Sequence, residues 1–204
     1  MCFPAHFIRR KHEGHMKFKA VIFDMDGTLT VPTLDFKLIR KELGIPEGDL
    51  VEVIESWPEP KQLAAWAFIR KHEAESKIIV KDGVRECLEK FRAAGIMLGI
   101  LTRNSKESVL RVMEKLRFDF DMILTREHEF IKPDPETVRY FLREWALKPE
   151  EALVVGEYIH DIECAKNAGA RACFYFNPGC SDFTSASDFA VRSFRELEAL
   201  VIEE

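Results

Sequence analysis

Apolar and polar positions along the chain fall into blocks whose spacing changes twice. Val21-Ile22-Phe23 is short, β-branched and aromatic, and is closed at once by a turn signal, so it reads as a buried strand. From Pro32 to Lys81 the spacing is helical. Leu34, Leu38, Ile39 and Leu43 form one stretch, closed by Gly44 and Pro46. Gly48-Asp49 opens a second, with Leu50, Val53, Ile54 and Trp57, stopped by Pro58-Glu59-Pro60. A third runs from Gln62 through Ala65, Trp66, Ile69 and His72. No strand signal interrupts these stretches, which predicts a small all-helical insertion over residues 32–79.

Helix and strand signals then alternate. Val84, Cys87, Leu88 and Phe91 make a helical stripe with Asp82 as candidate N-cap and Gly95 at its end. Ile96 to Leu101 is a near-continuous apolar strand. A helix capped by Asn104 or Ser105 follows, carrying Val109, Val112, Met113 and Leu116. Met122-Ile123-Leu124 is a third strand, and Asp134-Pro135 opens a helix with Val138, Phe141, Leu142 and Trp145. Ala152 to Val155 is a fourth strand, ending at Gly156. A helix over Ile162, Ala165 and Ala168 stops at Gly169, and Ala172 to Phe176 is a fifth strand. Phe189-Ala190-Val191 is a candidate edge strand, and Ser193 with Glu196 reads as a capping box for a last helix. Apolar strands alternating with helices predict an α/β protein with a Rossmann-like, doubly wound parallel sheet. Its core spans residues 18–31 and 80–204, with the helical segment inserted between them.

Composition narrows the function classes. The 204 residues carry a formal charge of −5, which gives no electrostatic case for nucleic acid or an anionic membrane surface as partner. No apolar run approaches the roughly 20 residues of a membrane-spanning helix. Residues 1–17 hold charges and histidines where an export signal needs an apolar stretch, and read as a disordered polar leader, with Met16 an alternative start. Cys2 with His6, His12 and His15 has nothing nearby to support a metal site. Five cysteines without a CxxC pair fit reduced thiols in a cytoplasmic protein. The expected state is a monomer or homodimer.

Chemistry collects at the strand ends. The first strand ends in Asp24-Met25-Asp26-Gly27-Thr28, the second in Thr102-Arg103-Asn104, and Lys132-Pro133-Asp134 follows the third. The fourth ends in Gly156-Glu157-Tyr158-Ile159-His160-Asp161. In a parallel sheet these ends share one edge, where open α/β sheets bind ligands. Acids gathered there repel unless a cation joins them, and hard oxygen ligands with open positions suit Mg²⁺ bridging to a phosphate. Thr102, Lys132 and nearby backbone N–H groups suit phosphate oxygens.

These four motifs, in this order, resemble the haloacid dehalogenase superfamily in its phosphatase branch, phosphoglycolate phosphatases included. The resemblance covers residues 18 to 176 and is carried most specifically by Asp24-Met25-Asp26-Gly27-Thr28. It implies that Asp24 is the nucleophile, that Asp26 is the general acid and base, and that Thr102 and Lys132 stabilise the phosphoryl group. Gly27, Thr28, Arg103 and Asn104 are further candidates at the phosphate. The implied Mg²⁺ ligands are Asp24, the Asp26 backbone carbonyl, Glu157 and Asp161. One departure is visible: Glu157 stands where the family usually has Asp, one methylene shorter.

The expected activity is Mg²⁺-dependent hydrolysis of a small phosphorylated metabolite such as phosphoglycolate or a sugar phosphate. The alternatives are a phosphomutase similar to β-phosphoglucomutase and a non-enzymatic phosphate-binding protein. By the same resemblance the insertion is a cap that selects the substrate. Lys37, Arg40, Lys41, Lys61 and Arg70 are candidates for a second anionic group, or simply solvated helix faces. Arg103 and Asn104 read equally as capping or surface residues. His128 and His160 read as surface residues, Cys164 and Cys173 as core, and Trp57 and Trp66 as sealing a small helical core.

Overall fold

The computed structural model describes residues 18–202; the leader expected over residues 1–17 lies outside them. Six strands form one parallel sheet: β1 (Ala20–Phe23), β2 (Met97–Leu101), β3 (Met122–Leu124), β4 (Ala152–Gly156), β5 (Arg171–Tyr175) and β6 (Phe189–Val191). Their spatial order is β3-β2-β1-β4-β5-β6, with every neighbouring pair parallel. The first strand in sequence is therefore central, and the chain winds outward from it on either side.

Side-chain alternation along β1 divides the core into two layers. Val21 and Phe23 face α4 (Val84–Ala93), α5 (Lys106–Leu116) and α8 (Phe194–Ile202), packing with Leu88, Phe91, Val112 and Leu197. Ala20 and Ile22 face α6 (Glu136–Glu144) and α7 (Ile159–Asn167), packing with Val138, Phe141, Ile162 and Ala165. All four β1 side chains are fully buried, which explains the unbroken apolar run. Gly99 in β2 is glycine for space: a Cβ there would lie 2.6 Å from Phe141 and 2.9 Å from Trp145.

Between β1 and α4 lie three helices, α1 (Phe36–Leu43), α2 (Leu50–Glu55) and α3 (Glu59–Glu75). They close around their own apolar cluster of Ile39, Ile45, Leu50, Ile54, Ala65 and Ile69, with Trp57 and Trp66 packed at its edge. The chain leaves and re-enters the core side by side: Val31 N–H donates to the Ile79 carbonyl and Lys81 N–H to that of Leu29.

Three local expectations change, and the open choice of cap for α5 is decided. The residue preceding α4 is Gly83 in the left-handed region (φ 77°), not Asp82, so that helix start has no side-chain cap. Ser105, not Asn104, caps α5, accepting from the Ser108 N–H. The third helix begins at Glu59, because Pro60 in the first turn has no N–H to leave unpaired. The box at α8 is displaced: Ser193 accepts from Glu196 N–H, but Glu196 reaches back to the N–H of Arg192.

Candidate active site

A tight turn follows β1. Leu29 and Thr30 N–H groups both donate to the Met25 carbonyl, and Gly27, at φ 78°, donates to that of Thr30. Met25 and Leu29 are buried on the β1 face that packs against α4. The turn is thus anchored from below, and Asp24 and Asp26 are held at the sheet edge.

The two acids occupy different surroundings. Asp24 accepts from Lys132 Nζ at 2.5 Å, and the same ammonium donates to Asp161 at 2.6 Å. Lys132 and Asp161 side chains are each only 4% exposed, so this is a buried acid–lysine–acid bridge. Burial pushes the Asp24 carboxyl up to about 7, Lys132 pulling against it and Asp161 adding to it. For Lys132 burial works against the ammonium, but Asp161 and Asp24 outweigh it and hold its pKa above the usual lysine range. Asp26 faces neutral partners: Thr30 Oγ1 donates to it at 2.9 Å, and Asn104 Nδ2 does so at 2.9 Å. Burial raises its pKa against those hydrogen bonds, and Glu73 raises it further.

The other strand ends converge as the topology requires. Thr102 N–H donates to the Leu124 carbonyl, and its Oγ1 accepts from Asn104 Nδ2 at 3.0 Å. Asp161 also accepts from the Tyr158 N–H at 3.0 Å. Its carboxylate fills the space beside Gly156, where an added Cβ would lie 2.2 Å away. Glu157 sits likewise over Gly27, 1.9 Å from where a Cβ would be.

Four residues that the sequence reading did not select are built into this region. Asn177, just beyond β5, donates through Nδ2 to both the Glu157 carboxylate and the Gly27 carbonyl, the latter at 2.7 Å. Lys81 Nζ donates to the Gly27 carbonyl and to Asn177 Oδ1, and lies over the Tyr175 ring. Burial lowers Lys81 to about 8, with Glu157 opposing. Asp49 and Glu73, both from the helical insertion, pair with the core. Applying the strand-end argument to a fifth strand would have reached Asn177. No comparable signal marks the others.

Three expectations give way to other contacts. Arg103 does not face a phosphate position alone: both terminal nitrogens donate to Asp49, one at 2.8 Å. The Gly27 N–H is engaged by the turn, and Thr28 is buried with its hydroxyl 3.5 Å from Asp24. His160 is not a surface residue. Its side chain is 17% exposed and its Nε2 lies 3.2 Å from Asp49.

Above the strand ends, core and insertion enclose a cavity of about 340 Å³, lined on the core side by Asp24, Asp26, Thr102 and Lys132 and on the insertion side by Phe36, Arg40, Leu50 and Trp66. That is the size of a small-ligand site.

A divalent cation fits the residues present. Asp24, Asp26, Glu157 and Asp161 share the crevice with two lysines, Lys132 and Lys81, so negative charge is in excess. Burial raises the Glu157 pKa as it does those of Asp24 and Asp26, a cost to the charged carboxylates that a bound cation would offset. Among the described residues no three such groups are already drawn around one point. The donors are nonetheless hard oxygens beside glycines that leave them room.

The family model for haloacid dehalogenase-like hydrolases matches residues 31–175. The chain belongs to this hydrolase family. A haloacid dehalogenase-like hydrolase domain-containing protein of Arabidopsis thaliana is 31% identical over 91% of this chain and 84% of its own. Pyrophosphatase PpaX of Bacillus cereus is 26% identical over 76% of this chain and 82% of its own. Among solved structures, one described as a predicted phosphoglycolate phosphatase from Haemophilus somnus superposes with a TM-score of 0.69 at 20% identity. That superposition covers 92% of this chain and 99% of the other, and it shows the shared haloacid dehalogenase-like fold.

Proposed function

We propose that this hydrolase is a Mg²⁺-dependent phosphatase acting on a small phosphorylated metabolite through an aspartyl-phosphate on Asp24. The observation that carries the reading is the unlike environment of two acids two residues apart. Asp24 sits against a buried cation, as an anionic nucleophile does, while Asp26 is held by a neutral amide and a hydroxyl. An Asp24 carboxylate oxygen attacks phosphorus, and the departing alkoxide takes the proton from Asp26. Asp26 then removes a proton from the water that attacks the aspartyl-phosphate, which restores both acids. Lys132 and the Thr102 hydroxyl face the equatorial phosphoryl oxygens, where charge accumulates. Asp24, the Asp26 carbonyl, Glu157 and Asp161 would hold the Mg²⁺, whose chemistry is to offset the charge of nucleophile and substrate.

The helical insertion over residues 32–79 serves in this reading as the cap over the cavity. The relatives named as phosphoglycolate phosphatase and pyrophosphatase agree with a small phosphorylated substrate. Free cysteines at Cys87, Cys164, Cys173 and Cys180 accord with a cytoplasmic setting.

The test is release of inorganic phosphate from p-nitrophenyl phosphate, with Mg²⁺ and then with EDTA. Asp24→Asn is expected to lower kcat by on the order of 10⁴-fold or more while the circular dichroism spectrum stays unchanged. Undiminished turnover in Asp24→Asn removes the nucleophile. Phosphate moved within a sugar phosphate without release would point to a mutase, and binding without turnover to a phosphate-binding protein.

A further inference from the structure

The cations that line the cavity differ in how they are matched. Lys132 is shared by Asp24 and Asp161, Arg103 is held by Asp49, Arg126 by Glu73, and His160 lies against Asp49. Arg40 is the exception among the described residues that line the cavity: it has no carboxylate in ion-pair contact. It stands one helical turn from Phe36 on α1, and both side chains face the cavity. One terminal nitrogen, Nη2, donates to the Gly48 carbonyl at 2.9 Å. The other, Nη1, is buried with no hydrogen-bond partner. A buried guanidinium N–H without an acceptor is costly, and such groups in native structures call for an explanation. The Gly48 contact also ties Arg40 to the loop that precedes Asp49, so the guanidinium is fixed on the insertion side while Asp24 and Lys132 are fixed opposite.

We propose that Arg40 is the recognition group for a second anionic substituent, so that the substrate is a small phosphomonoester bearing a carboxylate or a second phosphate. The inference rests on the phosphatase reading for the position of the first phosphate, but on the unmatched Arg40 for the second charge. A cavity of about 340 Å³ is of the size that suits a small metabolite. An anion at Arg40 supplies the counter-charge that this guanidinium lacks, through a charge-assisted bond of the kind guanidinium forms best.

The experiment compares three esters of equal length: 3-hydroxypropyl phosphate, 3-phosphonooxypropanoate and propane-1,3-diyl bisphosphate. Their kcat/KM values are measured with Mg²⁺, with p-nitrophenyl phosphate as the activity control. The wild type should prefer the anionic tails over the hydroxyl tail by on the order of 10- to 100-fold, one charge-assisted hydrogen bond. Arg40→Gln should collapse that preference, and Arg40→Lys should keep part of it. The carboxylate and bisphosphate arms show which anion fits.

Calorimetric binding of the same esters to Asp24→Asn reads the subsite without turnover, alone and combined with Arg40→Gln. Equal affinity for charged and neutral tails, or a preference that survives Arg40→Gln, overturns the proposal. Failure to hydrolyse any ester while the anionic tails still bind selectively would instead overturn the phosphatase reading alone.

Discussion

Two regions of this molecule handle charge in opposite ways. At the sheet edge, Asp24, Asp26, Glu157 and Asp161 outnumber the lysines beside them, and burial raises the pKa of three of these acids. At the seam between insertion and core, each acid has its own arginine. Asp49 takes Arg103, and Glu73 takes Arg126 as well as the hydroxyls of Ser105 and Ser108. A region left with unmatched charge is suited to receive a charged partner, and a region with matched charge is suited to dock. Arg40 completes the contrast, as the described cavity-lining cation of the insertion with no carboxylate in ion-pair contact.

The largest way to break this contrast lies in the seam. The Glu73 and Arg126 side chains are 4% and 6% exposed, and Arg111 also donates to the Glu73 carbonyl. Glu73→Ala leaves the Arg126 guanidinium buried, with Trp66 beneath it and no carboxylate. Removing one partner of such a pair costs about 3–5 kcal/mol. Urea unfolding should register that loss, and Glu73→Gln, which keeps the acceptor oxygen, should lose less. A loss below about 1 kcal/mol would mean that water reaches Arg126 and that the seam is open.

How far the sequence disclosed these regions follows from what positions each residue. β1, β2, β4 and β5 were legible because their side chains are largely buried on both faces, so the apolar runs carry the signal, whereas the partly buried outer strands β3 and β6 showed only as short apolar triplets. Asp24, Asp26, Thr102, Lys132 and Asp161 were legible because a parallel sheet sends every strand end to one edge. The seam was not. Glu73 lies on a helix whose charged residues look solvated, and only docking of that helix against the start of α5 and the loop after β3 gives it Ser105, Arg111 and Arg126. Arg103 and His160 were misread for the same reason. Their partner Asp49 is more than 50 residues from either and presents itself in sequence as a helix cap, a role it also plays by accepting from the Val51 and Glu52 N–H groups.

A smaller effect sharpens the crevice side. Asn177 holds the Glu157 carboxylate and braces Gly27, so in the proposed site it stands behind a metal ligand. Partners behind a metal ligand typically contribute 10- to 100-fold in affinity. Asn177→Ala should weaken Mn²⁺ binding, followed by electron paramagnetic resonance, by about tenfold. In a Glu157→Asp background the same change should matter less, because the shorter carboxylate no longer reaches Asn177. Identical Mn²⁺ affinity in wild type and Asn177→Ala would take Glu157 out of the ligand set.

The smallest effect concerns the second ion pair of the seam and depends on pH. Burial opposes ionisation of Asp49, but Arg103, the Glu52 N–H and His160 together hold its pKa well below the usual carboxylate value. A carboxyl whose pKa is depressed on folding contributes stability above its unfolded pKa, about 3.9, and loses it as pH falls toward the folded value. The pair is about one-fifth exposed on each side, so its contribution is on the order of 1 kcal/mol. Asp49→Asn should therefore lower the melting temperature at pH 7 by a few degrees, and the gap to wild type should narrow as pH drops below 4. A gap that stayed unchanged as pH fell below 4 would mean that the Asp49 carboxylate gains nothing from Arg103 on folding.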